Sequence, residues 1–248
     1  MGKKGVALRP FTIVLISIFA ALDAVVRLVP VTYVIGLYKF FSLGWVFSPI
    51  IGVLIGPISG FAAASVGSLI RASITSYKWT FGPFTPFLPA FAALQAGFLT
   101  REKHRVFFLI LAFSILFSLT VTWLLLPTGR TVWPIALYYV AGLAAIPVFY
   151  FFFGSSKKRL LFTLMIIAYV SNITQQALGN VLSVVLLNLS AEIFWVSLPM
   201  PLVEQTAFAL ASGVITLPIL LALQRANLLS YLNCGIFEKK PANNGKKP

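Results

Sequence analysis

The side chains of this 248-residue chain that could bind a polar molecule lie inside otherwise apolar segments. Asn172, Gln176 and Asn180 recur every four residues in one such segment, with Gln175 beside them, so they share one face of a helix. A polar row of this kind cannot face lipid, because each unsatisfied amide in hydrocarbon costs several kcal/mol. We therefore expect the row to bind a polar ligand. Hydrogen bonds between helices alone are the alternative.

Three ionisable side chains are embedded in the same way. Asp23 and Arg27 lie one turn apart in the first apolar segment, and Glu204 lies near the start of the last one. Charged groups at membrane depth are functional candidates by default, although Asp23 and Arg27 could also form an ion pair that only joins helices. At ~1.5 Å per residue, Arg27, Gln176 and Glu204 all fall in the outer half of the bilayer. We predict that they line one pocket, together with Asn172 and Asn180, that opens to the outside.

Aromatic residues flank this predicted pocket, many of them in a loop expected to begin at Tyr33, and Trp45 and Trp79 are the candidates for ligand contact. Aromatic side chains at a membrane surface often anchor the protein at the interface, which is the alternative role for both. Rings suit a planar heterocycle, while Asn and Gln side chains bind amide or ring-nitrogen edges. Riboflavin, thiamine or its pyrimidine, and biotin all fit such a pocket, and the sequence does not choose among them.

The elements that must position these residues are membrane helices. The chain is 59% hydrophobic and only 10% charged, with a mean hydropathy of +0.96. Repeated apolar runs of about 20 residues predict an all-α, polytopic helix bundle. We place helices near 9–30, 44–55, 57–74, 84–100, 106–126, 132–153, 160–188 and 199–224. The spans 106–126 and 132–153 carry no embedded charge and are expected to face lipid.

This pattern predicts one transmembrane domain over residues 1–226, with six to eight spans. A disordered, basic cytoplasmic tail is expected over residues 227–248. The first apolar run is too long for the core of a signal peptide and is expected to stay attached.

The net charge of +14 is explained by orientation in the membrane and not by nucleic-acid binding. With both termini in the cytoplasm, 14 of the 19 basic residues fall on the cytoplasmic side, as the positive-inside rule requires. They are Lys3, Lys4, Arg9, Arg101, Lys103, Arg105, Lys157, Lys158, Arg159, Arg225, Lys239, Lys240, Lys246 and Lys247.

No pattern in the sequence indicates an enzyme. It contains no nucleotide-binding glycine loop, no metalloprotease motif and no serine-hydrolase motif. The one histidine, His104, lies in a charged loop, and the one cysteine, Cys234, lies in the tail. We therefore expect no catalytic residues, no bound metal, no cofactor and no ability to hydrolyse ATP.

Small residues on the first helix predict close packing against another helix. Ala20 and Ala24 lie one turn apart, which allows a second helix to approach closely in lipid. They belong to the run Phe19-Ala-Ala-Leu-Asp-Ala-Val-Val-Arg-Leu28, which resembles the first helix of the substrate-binding S components of energy-coupling factor (ECF) vitamin transporters. The phrases Leu54-Ile-Gly-Pro-Ile-Ser-Gly60 and Leu198-Pro-Met-Pro-Leu-Val-Glu204 also resemble this family, as does the proline-rich segment after Phe81.

The resemblance implies a membrane-embedded subunit in the cell membrane of a prokaryote that captures a small water-soluble vitamin from outside. It implies that Ala20 and Ala24 dock on the coupling helices of a transmembrane partner, and that separate ATPase subunits drive uptake. The family usually has six helices, so our count of eight departs from it. Two other functions stay open: a stand-alone secondary transporter that uses Asp23 or Glu204 for proton coupling, and a structural subunit without a ligand.

Overall fold

The structure is a computed structural model, and it describes residues 10–34, 39–75, 80–152, 157–226 and 228. The described part is helical apart from one small hairpin. The predicted tail, residues 227–248, lies outside the described residues except for Leu228, and so does the basic N-terminal segment 1–9.

The N-terminal part contains three helices and the hairpin. Its elements are α1 (Pro10–Val26), β1 (Pro30–Val34), β2 (Lys39–Ser42), α2 (Gly44–Ile55) and α3 (Pro57–Ile74). The strands are antiparallel, and Tyr33 is opposite Phe40. Both are rich in β-branched and aromatic residues, which favour extended backbone. The sequence-based expectation of a helix over 9–30 followed by an irregular loop is therefore wrong after Val26.

The remaining chain is a series of helices. In order they are a 3₁₀ turn (Gly82–Phe84), α4 (Phe87–Leu99), α5 (Arg105–Leu125), α6 (Pro127–Thr131), α7 (Ile135–Phe152), α8 (Lys157–Leu187), α9 (Ala191–Ser197) and α10 (Met200–Arg225). The predicted bounds of the second and third helices are confirmed to the residue, and the later long helices are confirmed to within a few residues. The short helices α6 and α9 were not predicted.

Three described helices are long and apolar enough to cross a membrane, namely α5, α8 and α10. The others fall short by length or hydropathy. For example, α2 has 12 residues, which rise only ~18 Å against a hydrocarbon core of ~30 Å. The structure is therefore compatible with a membrane protein, while the count of six to eight spans stays a prediction.

Helix α8 is the centre of the fold. Buried positions make up 72% of its apolar window, compared with 28% for α5 and 33% for α10. It packs against α10, α4, α7, α5 and α2. Because no residue between 163 and 184 of α8 is exposed, its polar row faces other helices and not lipid, as the sequence predicted.

Helices α5 and α7 are more than a lipid-facing scaffold, so that expectation is wrong for one face of each. Trp123 on α5 and Tyr139 and Phe149 on α7 are completely buried. The opposite face of α5 carries Phe113 and Phe117, which are exposed and stack on each other. A helix of this kind divides its residues between the protein core and the surroundings.

A tight turn joins α2 to α3. Gly56 has φ 82°, a left-handed conformation that favours glycine, and Pro57 begins α3 in the first turn, where its missing N–H is not needed. Gly52 allows α2 to pack closely against α4, because a Cβ at this position would collide with the carbonyl oxygen of Ala93. The predicted helices 44–55 and 57–74 end and begin on either side of this turn.

Candidate functional site

Helix α8 carries a row of amide side chains in the middle of the protein. Asn172 is 0% exposed and Gln175 is 2% exposed, while Gln176 and Asn180 are partly buried. Gln205 on α10 is also 0% exposed and faces this row. We call these five residues the amide cluster.

Hydrogen bonds join most of the amide cluster into a chain across three helices. Gln205 donates through Nε2 to Oε1 of Gln176 at 2.8 Å, which connects α10 to α8. Gln176 donates to Oδ1 of Asn180 over a long 3.5 Å, and Asn180 donates through Nδ2 to the hydroxyl of Tyr139 on α7 at 2.7 Å. This chain contributes to holding the helices together, which is the alternative role that the sequence left open.

Four polar atoms of the amide cluster take no part in these hydrogen bonds. Within the described residues, Nδ2 and Oδ1 of Asn172, Oε1 of Gln175 and Oε1 of Gln205 are buried and have no hydrogen-bond partner. An unsatisfied buried polar atom costs about 1–3 kcal/mol, so native proteins satisfy nearly all of them. Four such atoms on two adjacent helices make the amide cluster the candidate binding site.

Aromatic rings lie next to the amide cluster on α10 and α2. Trp45 is 7% exposed, and its ring centroid lies 6.1 Å from that of Phe208, one turn after Gln205. The hydroxyl of Ser212 donates to the backbone oxygen of Val46, which fixes α10 against α2. Trp45 is therefore buried in the bundle rather than anchored at an interface. Glu204, which precedes Gln205, is also buried.

Arg27 forms its hydrogen bonds with residues outside the amide cluster, so a single pocket that includes Arg27 stays a prediction. Its Nε lies 2.6 Å from Oδ2 of Asp23, and its NH2 donates to Oγ of Ser48 at 2.6 Å. All three residues are buried, and we call them the ion-pair cluster. Arg27 thus joins α1 to α2, which matches the alternative role considered for Asp23 and Arg27.

Two glycines close the space around the ion-pair cluster. A Cβ at Gly67 would lie 2.6 Å from Oδ2 of Asp23, and a Cβ at Gly44 would lie 2.7 Å from NH1 of Arg27. Oδ1 of Asp23 has no hydrogen-bond partner among the described residues. The tight packing nevertheless leaves little room for a ligand at this position.

Ala20 and Ala24 are not on a free surface. They are 1% and 3% exposed, and the backbone oxygen of Ala20 would lie 2.7 Å from a Cβ at Gly67 of α3. Close packing at this face is therefore present, but α3 of the same chain occupies it, so the predicted docking face is not available to a partner. Beside this face of α1, Ser17 and Ala21 are exposed one turn apart.

The predicted site residues fall into three groups. Asn172, Gln176 and Asn180 belong to the amide cluster. Glu204 precedes Gln205 in the chain and Trp45 packs on Phe208, while Trp79 lies outside the described residues. Sequence reasoning missed Gln205 and Tyr139. Gln205 is a polar residue within an apolar helix next to Glu204, and that pairing could have identified it. Tyr139 has the only hydroxyl that contacts Asn180 among the described residues, but nothing in the sequence distinguishes it from the neighbouring Tyr138.

Comparisons with known proteins give one relative. The chain is similar to an uncharacterized protein of Methanocaldococcus jannaschii, with 28% identity over 168 residues. The match covers 64% of this chain and 53% of the archaeal protein, so the chain spans about half the length of this curated relative. No family model matches the chain, and no solved structure matches it.

Proposed function

We propose that this protein is a membrane-embedded binding subunit that captures a small water-soluble vitamin or a related compound from outside the cell. The observation that carries the proposal is the set of four unused polar atoms in the amide cluster. A ligand that satisfies them gains hydrogen bonds whose protein partners are already desolvated. The buried rings of Trp45 and Phe208 beside the cluster suit a flat, partly apolar ligand.

The protein acts as a multi-pass component of a prokaryotic cell membrane, with both termini in the cytoplasm. Support comes from the three long apolar helices and from the distribution of basic residues along the sequence. In this orientation α8 rises from the cytoplasmic side, and Gln176 lies ~29 Å above the helix start at Lys157, near the outer surface. The amide cluster then takes its ligand from outside.

ATP-driven uptake requires a transmembrane coupling subunit and ATPase subunits, because the sequence has no nucleotide-binding loop of its own. This is what the resemblance to ECF S components implies. The surface of α1 that could contact the coupling subunit is the one with Ser17 and Ala21, since α3 covers Ala20 and Ala24. Small residues there allow helices of a partner to approach closely.

A stand-alone secondary transporter is the second candidate, with Asp23 or Glu204 carrying a coupling proton. The contacts of Asp23 argue against it, because its Oδ2 is already bonded to Arg27 and the close approach of Gly67 leaves little room around it. Glu204 is buried and adjoins the amide cluster, so it is the residue on which this alternative depends.

Calorimetry in detergent tests the binding role. Riboflavin, thiamine and biotin are titrated into the wild-type protein, the Gln176→Leu variant and the Phe117→Leu variant. Gln176→Leu breaks the hydrogen-bonded chain at its centre and should weaken binding at least tenfold, while Phe117→Leu changes only the exposed face of α5 and should not. Equal affinities in all three proteins would leave the amide cluster with a structural role alone.

Proteoliposomes test the transport mechanism. The protein alone, under a proton gradient, should not accumulate any compound that it binds, whereas co-reconstitution with coupling and ATPase subunits and ATP should. Accumulation by the protein alone, lost in Glu204→Gln, would favour the secondary transporter.

A further inference from the structure

Charged side chains are concentrated where α4 ends and α5 begins. The sequence of residues 101–105 is Arg-Glu-Lys-His-Arg, so three basic residues and one acid lie within five positions. Lys103 is exposed, while Arg101 and Arg105 are partly buried. The Nε of Arg101 is buried and has no hydrogen-bond partner among the described residues. We call Arg101, Lys103 and Arg105 the basic cluster, which keeps a net positive charge even beside Glu102.

Arg105 is held in place by helix α7. Its Cζ lies 4.7 Å from the centroid of the Tyr150 ring and 5.5 Å from that of the Phe149 ring. Its NH2 donates to the backbone oxygen of Tyr150 at 3.2 Å. A stacked guanidinium keeps its charge, and its planar fork suits the oxygens of a phosphate. Because the side chain is already ordered, binding an anion here costs little additional side-chain entropy.

An exposed apolar surface begins directly after the basic cluster. Val106, Ile110 and Phe113 are spaced by four and then three residues, so they share one face of α5. All three are exposed, and we call them the apolar row. The row extends ~10 Å along the helix, which is most of the ~15 Å that one leaflet contributes to the hydrocarbon core. The positive charge and the apolar surface therefore follow each other along one helix.

Membrane orientation alone does not account for this arrangement. The positive-inside rule explains the sign of the charges at this end of the protein, but it does not require any of them to be fixed. Arg159 and Arg225, at the same end of α8 and α10, are exposed, whereas Arg105 is partly buried and stacked on α7. A soluble phosphate compound would use the basic cluster and leave the apolar row without a role. A phospholipid with a negative headgroup uses both.

We propose that the basic cluster and the apolar row bind one anionic phospholipid of the cytoplasmic leaflet. The phosphate lies against the basic cluster, and an acyl chain lies along the apolar row. Because Arg105 contacts α7 as well as belonging to α5, the bound headgroup also joins the ends of these two helices. This inference rests on the proposed membrane orientation and is independent of the ligand that the amide cluster binds.

Native mass spectrometry of the full chain in non-ionic detergent micelles tests the proposal. Phosphatidylglycerol and phosphatidylcholine with identical acyl chains are titrated separately, and the dissociation constant of the first bound lipid is measured for each. The wild-type protein should bind phosphatidylglycerol at least tenfold more tightly, because each basic residue near an anionic headgroup contributes about fivefold. Glycerol 3-phosphate, which has the charge and no acyl chain, is then added at a concentration equal to that of the lipid and should not displace it.

Charge-removing variants locate the site. Lys103→Gln and Arg105→Gln should each weaken phosphatidylglycerol binding about fivefold and leave phosphatidylcholine binding unchanged. Lys103 is exposed, so Lys103→Gln tests the site even if Arg105→Gln, which also loses the contacts with α7, fails to fold. Arg130→Gln is the matched control, because it removes an exposed arginine beyond the opposite end of α5 and should bind both lipids as the wild-type protein does.

Three results overturn the lipid site and leave the proposed binding function in place. They are equal affinities of the wild-type protein for the two lipids, an equal loss in Arg130→Gln and Lys103→Gln, and displacement of the lipid by glycerol 3-phosphate at equal concentration. The orientation is tested separately by treating intact cells with a membrane-impermeant maleimide, which reacts with Cys234, the one cysteine of the chain. Labelling from outside would overturn the assignment to the cytoplasmic leaflet together with the proposed orientation.

Discussion

The protein buries two groups of polar side chains, and they differ in how completely the chain itself satisfies them. The ion-pair cluster has opposite charges at 2.6 Å, a serine that accepts a bond from the guanidinium, and glycines that let the helices close around it, and it leaves one buried atom, Oδ1 of Asp23, without a partner among the described residues. The amide cluster is neutral, extends over α7, α8 and α10, and leaves four buried polar atoms unused. A Cβ at Gly179, beside the amide cluster, would meet only Leu88 at 3.3 Å.

This difference is the reason for assigning a structural role to the ion-pair cluster and a proposed binding role to the amide cluster. Charge alone made Arg27 an attractive binding residue, yet its Nε and NH2 are bonded to Asp23 and Ser48 of the same chain. The uncharged amides are the groups that still need a partner. The proposed binding role therefore rests on buried amides with incomplete hydrogen bonding and not on charge in a membrane segment.

The largest effect is expected from separating the ion pair. Asp23→Ala or Arg27→Ala leaves one charge buried without its partner and should lower the free energy of unfolding by about 3–5 kcal/mol. The double variant Asp23→Leu with Arg27→Met removes both charges and should recover most of this loss. Unfolding in mixed detergent micelles measures all three variants. A cost below about 1 kcal/mol for both single variants would show that the pair is not structurally important.

A smaller effect is expected from adding one methyl group next to each cluster. Gly67→Ala places a Cβ against Asp23 and Ala20 and should cost about 1–3 kcal/mol, because neither α1 nor α3 can yield without moving backbone. Gly179→Ala meets only the end of a leucine side chain and should be nearly neutral. Thermal unfolding of the two variants compares the packing of the two regions. Equal losses of stability in the two variants would show that the two regions are packed equally tightly.

A cost of about 1 kcal/mol is expected for Tyr139→Phe, which removes the hydroxyl at the end of the hydrogen-bonded chain and leaves Nδ2 of Asn180 unpaired. Tyr138→Phe is the matched control on the same helix, where the lost bond is to the backbone oxygen of Leu198 at the end of α9. Both variants should lose stability, but only Tyr139→Phe should weaken ligand binding in calorimetry. Weakened binding in both would point to a general loosening of α7.

Local signals in the sequence predicted local structure well. Gly56-Pro57 fixed the α2–α3 boundary, and the four-residue spacing of Asn172, Gln176 and Asn180 correctly placed a polar row inside the protein. The hairpin after Val26 was missed because its aromatic residues were interpreted as a loop.

Contacts between distant segments could not be predicted from the sequence. Helical spacing placed Ala20 and Ala24 on one face, but it carries no information about which neighbour covers that face, and α3 does so. Depth arithmetic placed Arg27 at the level of Gln176 without saying that Ser48 lies beside it. Gln205 and Tyr139 needed the packing of α10 and α7 on α8 before their bonds to Gln176 and Asn180 could be seen.

The central claim, that the amide cluster binds a ligand, is tested most directly with the Asn172→Leu variant. Its free energy of unfolding is measured with and without the small molecule that co-purifies with the wild-type protein from its own membranes. Asn172 makes no hydrogen bond with the described residues, so an apolar side chain of similar size should leave the free energy of unfolding of the ligand-free protein unchanged or raise it by about 1 kcal/mol. The stabilisation that the bound molecule gives to the wild-type protein should be lost in the variant. A variant that is destabilised by several kcal/mol and still gains the full stabilisation from the molecule would contradict the account, because Asn172 would then hold helices together and not a ligand.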